Sequence, residues 1–125
     1  MENLKLYDGE LKFMQIIWAN EPMTSRRLVE LCAEKLGWKQ STTYTVLKKL
    51  SVKGAVKNDN STVTSLIKQE QARRYESESV VDRAFGGSLP GFAAAFMSGR
   101  GISEAEAEEI KAMIDRYREA HHDAD

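Results

Sequence analysis

Apolar residues first recur at helical spacing at Leu11, Phe13, Met14, Ile17 and Trp18, which predicts an opening helix with Asp8 as its N-cap and Asn20-Glu21-Pro22 as its end. Thr24 or Ser25 can cap a second helix. Its Leu28, Val29, Leu31, Cys32 and Leu36 lie to one side, its Arg26, Arg27, Glu30 and Glu34 face water, and Gly37 tolerates a left-handed end. After Trp38-Lys39-Gln40 a third helix is expected from Ser41 to Lys53. An advance of about 100° per residue gathers Thr43, Val46, Leu47 and Leu50 on one stripe. Ser41, Tyr44, Thr45, Lys48 and Lys49 fall opposite, with Thr42 at the boundary.

Beyond Gly54 the period changes. Ala55-Val56-Lys57 and the run from Thr62 to Ile67 are rich in β-branched residues and flank Asn58-Asp59-Asn60-Ser61, which predicts a β-hairpin. Three helices followed by a hairpin is the order of a winged helix-turn-helix. A helical stretch then runs from beyond Gln69 through Phe85 to Gly86-Gly87, followed by a short apolar segment from Phe92 to Met97. Ser103 and Glu106 have the spacing of a capping box ahead of a last helix with the stripe Ala107, Ile110, Met113, Ile114 and Tyr117. The expected fold is mainly α with a small hairpin wing: a winged-helix domain over residues 1–75, then a helical dimerisation region over 76–125. The second part is too short to enclose its own core. Pairing Phe92, Phe96, Ile110, Met113, Ile114 and Tyr117 with a second copy would supply one.

The total length of 125 residues suits one domain with an appendage. The single Cys32 leaves no intramolecular disulfide and no thiol cluster for zinc. A polar start and an apolar run of only Phe92 to Met97, far below the roughly 20 residues of a span, predict a cytoplasmic protein. Net charge is −1, which argues against a nucleic-acid partner until it is divided: residues 1–75 carry 13 basic and 8 acidic groups, and residues 76–125 carry 5 and 11. Net +5 and net −6 cancel, so a basic surface is hidden in the total.

That surface is concentrated on one helix. Lys48, Lys49, Lys53 and Lys57 follow one another without an intervening acid, and Lys39 precedes them. With the hydroxyls of Ser41, Thr42, Tyr44 and Thr45 they suit a helix in a major groove, where lysines hold phosphates and hydroxyls supply register and base readout. A lysine-rich helix face is often only a solvated surface, but this one is third in the order that places a recognition helix. A winged helix used for protein contacts in a signalling pathway is the alternative. It would favour an apolar or acidic third helix. Trp18 and Trp38 are read as packing residues, Cys32 as a small core residue. No glycine-rich phosphate loop, ligand-spaced cluster or Ser/His/Asp set points to an enzyme.

Leu11 to Trp18, Gly37-Trp38, the run from Ser41 to Leu50 and Lys53-Gly54 resemble the BlaI/MecI/CopY family of bacterial winged-helix repressors, often called penicillinase repressors. Val81 to Gly87, Phe92 to Met97 and Ile102 to Glu106 match in the same order. The resemblance covers nearly the whole chain. It implies a homodimer on an inverted-repeat operator in double-stranded DNA, with Ser41, Thr42, Tyr44, Thr45 and Lys49 as reading positions and Lys48 and Lys53 on phosphates.

The wing departs from the family pattern. It lacks Arg, Tyr and Pro, and Asp59 would repel phosphate, so weaker contacts through Lys57 with Asn58, Asn60 or Ser61 are expected. In the penicillin-responsive branch a membrane sensor with a metalloprotease domain leads to cleavage before a phenylalanine. The corresponding bond is Ala95-Phe96, with alanine where that branch has asparagine, and simple packing of these residues accounts for them equally. The cysteine-rich tail of the copper-responsive branch has no counterpart, and adjacent His121 and His122 diverge on a helix, so no metal or cofactor is expected.

Overall fold

The computed structural model describes residues 5–121; His122 and Met1–Leu4 lie outside them. In chain order the elements are α1 (Asp8–Asn20), β1 (Met23–Thr24), α2 (Ser25–Leu36), α3 (Gln40–Lys53), β2 (Val56–Asp59), β3 (Thr62–Ser65), α4 (Gln69–Phe85), α5 (Leu89–Arg100) and α6 (Glu104–Ala120). The chain divides into two compact units, residues 1–80 and 81–125, the division falling within α4.

The first unit is the winged helix. Phe13, Met14 and Ile17 of α1, Leu28 and Cys32 of α2, Leu47 and Leu50 of α3, and Val56 and Val63 of the sheet form one buried core. Each helix contributes the stripe its periodicity marks. The α1 start differs from the expectation: Tyr7 is the N-cap and Asp8 is the first helical residue. The reason lies at Glu10, whose carboxylate reaches back to accept the Tyr7 N–H at 2.9 Å, while Asp8 places a negative charge at the positive helix end. Thr24 caps α2 by accepting the Arg27 N–H at 3.0 Å. Gly37 and Gly54 close α2 and α3 at φ 71° and 90°, where a Cβ would be strained.

The sheet order is β1-β3-β2, antiparallel throughout. The hairpin is tighter than predicted. Asp59 pairs with Thr62, leaving only Asn60 and Ser61 in the turn at φ 52° and 65°, the signature of a type I′ connection. Leu66 and Ile67 leave the strand; their amides both donate to the Ala55 carbonyl. β1 brings Thr24 opposite Thr62, and the Ser25 N–H donates to the Ser61 carbonyl at 2.9 Å, fixing the wing turn to the start of α2. Glu21 accepts both the amide and hydroxyl of Ser65, at 2.6 and 2.8 Å. The Trp18 indole donates to the Ile67 carbonyl at 2.9 Å, an anchoring role for that ring.

In the second unit, α5 extends the apolar segment to a full helix. Ser88 caps it by accepting the Gly91 N–H at 2.9 Å, and Pro90 sits in the first turn, where its missing N–H costs nothing. Phe92 packs edge-on against Phe85 at 5.5 Å and stacks with Phe96 at 6.1 Å. The Ser103 capping box forms, with Ser103 accepting the Glu106 N–H at 3.0 Å and the Glu106 carboxylate accepting the Ser103 N–H at 3.3 Å.

Candidate nucleic-acid interface

Helix α3 divides into two faces. Thr43, Leu47 and Leu50 are buried and Val46 is half-buried, whereas Ser41, Thr42, Tyr44, Thr45, Lys48 and Lys49 are exposed. Lys39 is exposed at the N-cap, and Lys57 is exposed on β2. Trp38, just ahead of the helix, stacks on Phe13 at 6.0 Å with a 15° interplanar angle, so the core of α1 holds the entry to α3. Among the described residues Lys48 has no ion-pair partner. Val52, 81% exposed, belongs to the same outer face, although the hydrophobic pattern gave it no role.

The structure separates the lysines from one another. Glu10 of α1, 6% exposed, lies against α3. Its Oε2 is 3.2 Å from the Lys49 ammonium and its Oε1 is 3.9 Å from that of Lys53. Lys53 also donates to the Lys5 carbonyl and its side chain is only 19% exposed. The middle of the basic run thus differs from its ends: Lys39, Lys48 and Lys57 stand in solvent, Lys49 is exposed but paired, and Lys53 is tied into the α1–α3 junction.

Burial alone would raise the Glu10 pKa, but the Tyr7 N–H and the Lys49 and Lys53 ammonium groups outweigh it and hold the carboxyl below its ordinary value. A carboxyl lowered by folding contributes stability that is present in full above its unfolded pKa of about 4.3 and is lost as pH falls through the lower folded value. Thermal melts between pH 6 and pH 2 are expected to show an acid-labile component that Glu10→Gln removes. Burial pushes the Cys32 thiol up, against a smaller opposing effect of the Thr43 hydroxyl, so Cys32 is a core residue with little thiolate.

The second unit presents a different surface. Neither α5 nor α6 contains a buried residue. Phe96, Ile110, Met113, Ile114 and Tyr117 are exposed and Phe92 is half-buried, and Leu89, Met113, Ile114 and Tyr117 line an open groove. Ala95-Phe96 lies within the regular α5 helix, with the Arg100 guanidinium 4.9 Å over the Phe96 ring. His121 stacks on Tyr117 at 6.5 Å. Among the described residues no group of three His, Cys, Asp or Glu side chains could hold a metal, and no helix is long and apolar enough to cross a membrane.

A three-helix core, a small antiparallel sheet with a hairpin wing and a third helix whose outer face is basic and hydroxylated define the class: a winged helix-turn-helix protein. A sequence model of the penicillinase repressor family matches residues 7–116, and the chain belongs to that family, one of DNA-binding transcriptional repressors. Comparison with curated proteins finds no match.

Proposed function

We propose that two copies of this chain bind an inverted-repeat operator in the cytoplasm, each placing α3 in the major groove. The observation that carries the reading is the division of α3 into a buried apolar face and an outer face of Ser41, Thr42, Tyr44, Thr45, Lys48 and Lys49. The hydroxyls and Lys49 are assigned to base edges and nearby phosphates, Lys39, Lys48 and Lys57 to the backbone. Lys53, mostly covered, contributes as a brace between α1 and α3. The wing, with a two-residue turn and Lys57 as its one cation, makes a minor contribution.

Dimerisation is assigned to the region after residue 75, through Phe92, Phe96, Ile110, Met113, Ile114 and Tyr117. Its support is a helical unit whose α5 and α6 hold no buried residue in the single chain, an arrangement that calls for a covering partner. Release by proteolysis at Ala95-Phe96 would require α5 to open locally, because proteases act on extended chain and this bond is helical.

Gel retardation with an inverted repeat from the chain's own promoter tests the reading. Specific binding over scrambled DNA is expected, with affinity falling linearly in log–log form as salt rises. Lys48→Gln, which removes one phosphate contact from each of the two copies, should flatten that slope by about 1.8, and Thr45→Ala should relax sequence preference with little change in slope. Equal affinity for scrambled DNA would exclude a specific operator.

A further inference from the structure

Resting on the assignment of α3 to DNA, we infer that Glu10 is a positioning residue of the interface, a carboxylate fixed inside the protein that occupies Lys49 and competes with DNA phosphate for it. Glu10 is on α1 and Lys49 on α3, so the pair forms only when the winged helix is folded. The two ends of the pair differ in freedom. The Glu10 side chain is 7% exposed and accepts the Tyr7 N–H, whereas that of Lys49 is 66% exposed and stands one turn beyond Thr45 on the outer face. The carboxylate therefore stays in place while the ammonium can swing to a phosphate.

When it does so, Glu10 keeps the Tyr7 amide and the more distant Lys53, 3.9 Å away and itself engaged with the Lys5 carbonyl. Lys49 thus gives up one anion to take another, and its net gain on DNA is smaller than that of Lys48, which has no acidic partner among the described residues. The consequence is a third helix whose grip on any phosphate backbone is weaker than its lysine count indicates. Affinity without sequence information is restrained, and discrimination rests more on the hydroxyl contacts.

The test measures operator and scrambled-DNA binding across a salt series for the unmodified chain, Glu10→Gln, Lys49→Gln and the double variant. Glu10→Gln is expected to bind both DNAs about two- to fivefold tighter per folded molecule, with a slope steeper by a substantial part of the roughly 1.8 that two phosphate contacts, one from each copy, contribute. In the Lys49→Gln background the same substitution should change neither quantity. Because Glu10→Gln also loosens the α1–α3 junction, a second measurement uses the intact chain: the Glu10 carboxyl carbon resonance should move when operator DNA is added, and should stay in place in Lys49→Gln. Unchanged affinity and slope in Glu10→Gln, with only a lowered melting temperature, would make Glu10 a purely structural brace and overturn the inference. Lys48→Gln separates the two levels. If it leaves binding intact, the assignment of α3 to DNA fails; if it weakens binding while Glu10 and Lys49 remain uncoupled, only the present inference does.

Discussion

Replacing Ile110 and Ile114 together by glutamate is expected to leave the chain folded but monomeric, and to lower its affinity for an inverted-repeat operator by about 100-fold or more. The two residues lie one turn apart on α6, 43% and 51% exposed in the single chain, flanked by Met113 and Tyr117. In the proposed dimer this stripe meets its own copy, so each substitution appears twice and four carboxylates are driven into one apolar contact. Uncompensated charge in such a place is costly. The helix should survive, because glutamate is a good helix former and the Ser103 capping box is untouched. The loss in DNA binding follows from effective concentration. Once one α3 is seated, a linked second copy finds its half-site intramolecularly, an advantage of about 10²–10⁴ that a monomer lacks. Sedimentation should therefore show the monomer, circular dichroism an unchanged helix content, and binding to a single half-site should match that of the unmodified winged helix. A variant that stays dimeric, or a monomer that keeps full operator affinity, would remove α6 from the interface.

What could be read from the chain beforehand was what depends on short spacing. The two faces of α3 follow from a 3.6-residue period, and Thr43, Leu47 and Leu50 are buried where that period places them. Ser103 and Glu106 form their box because both partners lie within one turn. The helical reach of α5 exceeds the apolar segment that marks it in the sequence, since Pro90, Gly91 and Gly99 look like breakers although a proline in the first turn is well tolerated. β1, two residues long, carries no period at all and exists because β3 offers it a free edge. The reduction of the wing turn to Asn60-Ser61 depends on both residues accepting positive φ, which a cluster of four turn-forming residues does not specify. Least legible was Glu10. In sequence it is an acid in the first turn of a helix, a sufficient local role, and the distant lysine run from Lys48 to Lys57 contains no acid. That the two meet is a property of how α1 packs on α3, visible only in three dimensions.

That packing is also where the largest loss of stability is expected. Phe13→Ala should lower the stability of the winged helix by about 3–5 kcal/mol, because Phe13 is fully buried and stacks on Trp38 two residues ahead of α3. Truncation removes the ring from the core and leaves Trp38 without the surface that orients it. The cavity opens between α1 and the entry to α3, where Gly9 gives Trp38 only backbone to rest on. A unit of this size has a total stability near the low end of about 5–15 kcal/mol, and each kcal/mol shifts a melting temperature by about 4–8 °C in a domain of 60–100 residues. A drop of more than about 12 °C is therefore expected, and with it loss of operator binding near the new transition. Well below that transition the outer face of α3 is chemically intact, so the salt slope should match that of the unmodified protein while affinity falls only as far as Trp38 lets the helix shift. Phe13→Leu, which refills most of the volume, should recover the larger part of the stability. If alanine at position 13 lowered the melting temperature by less than about 4 °C, the Phe13–Trp38 stack would not be what holds α3 against the body of the winged helix, and the positioning of the DNA-facing side chains would have to come from the Glu10 junction instead.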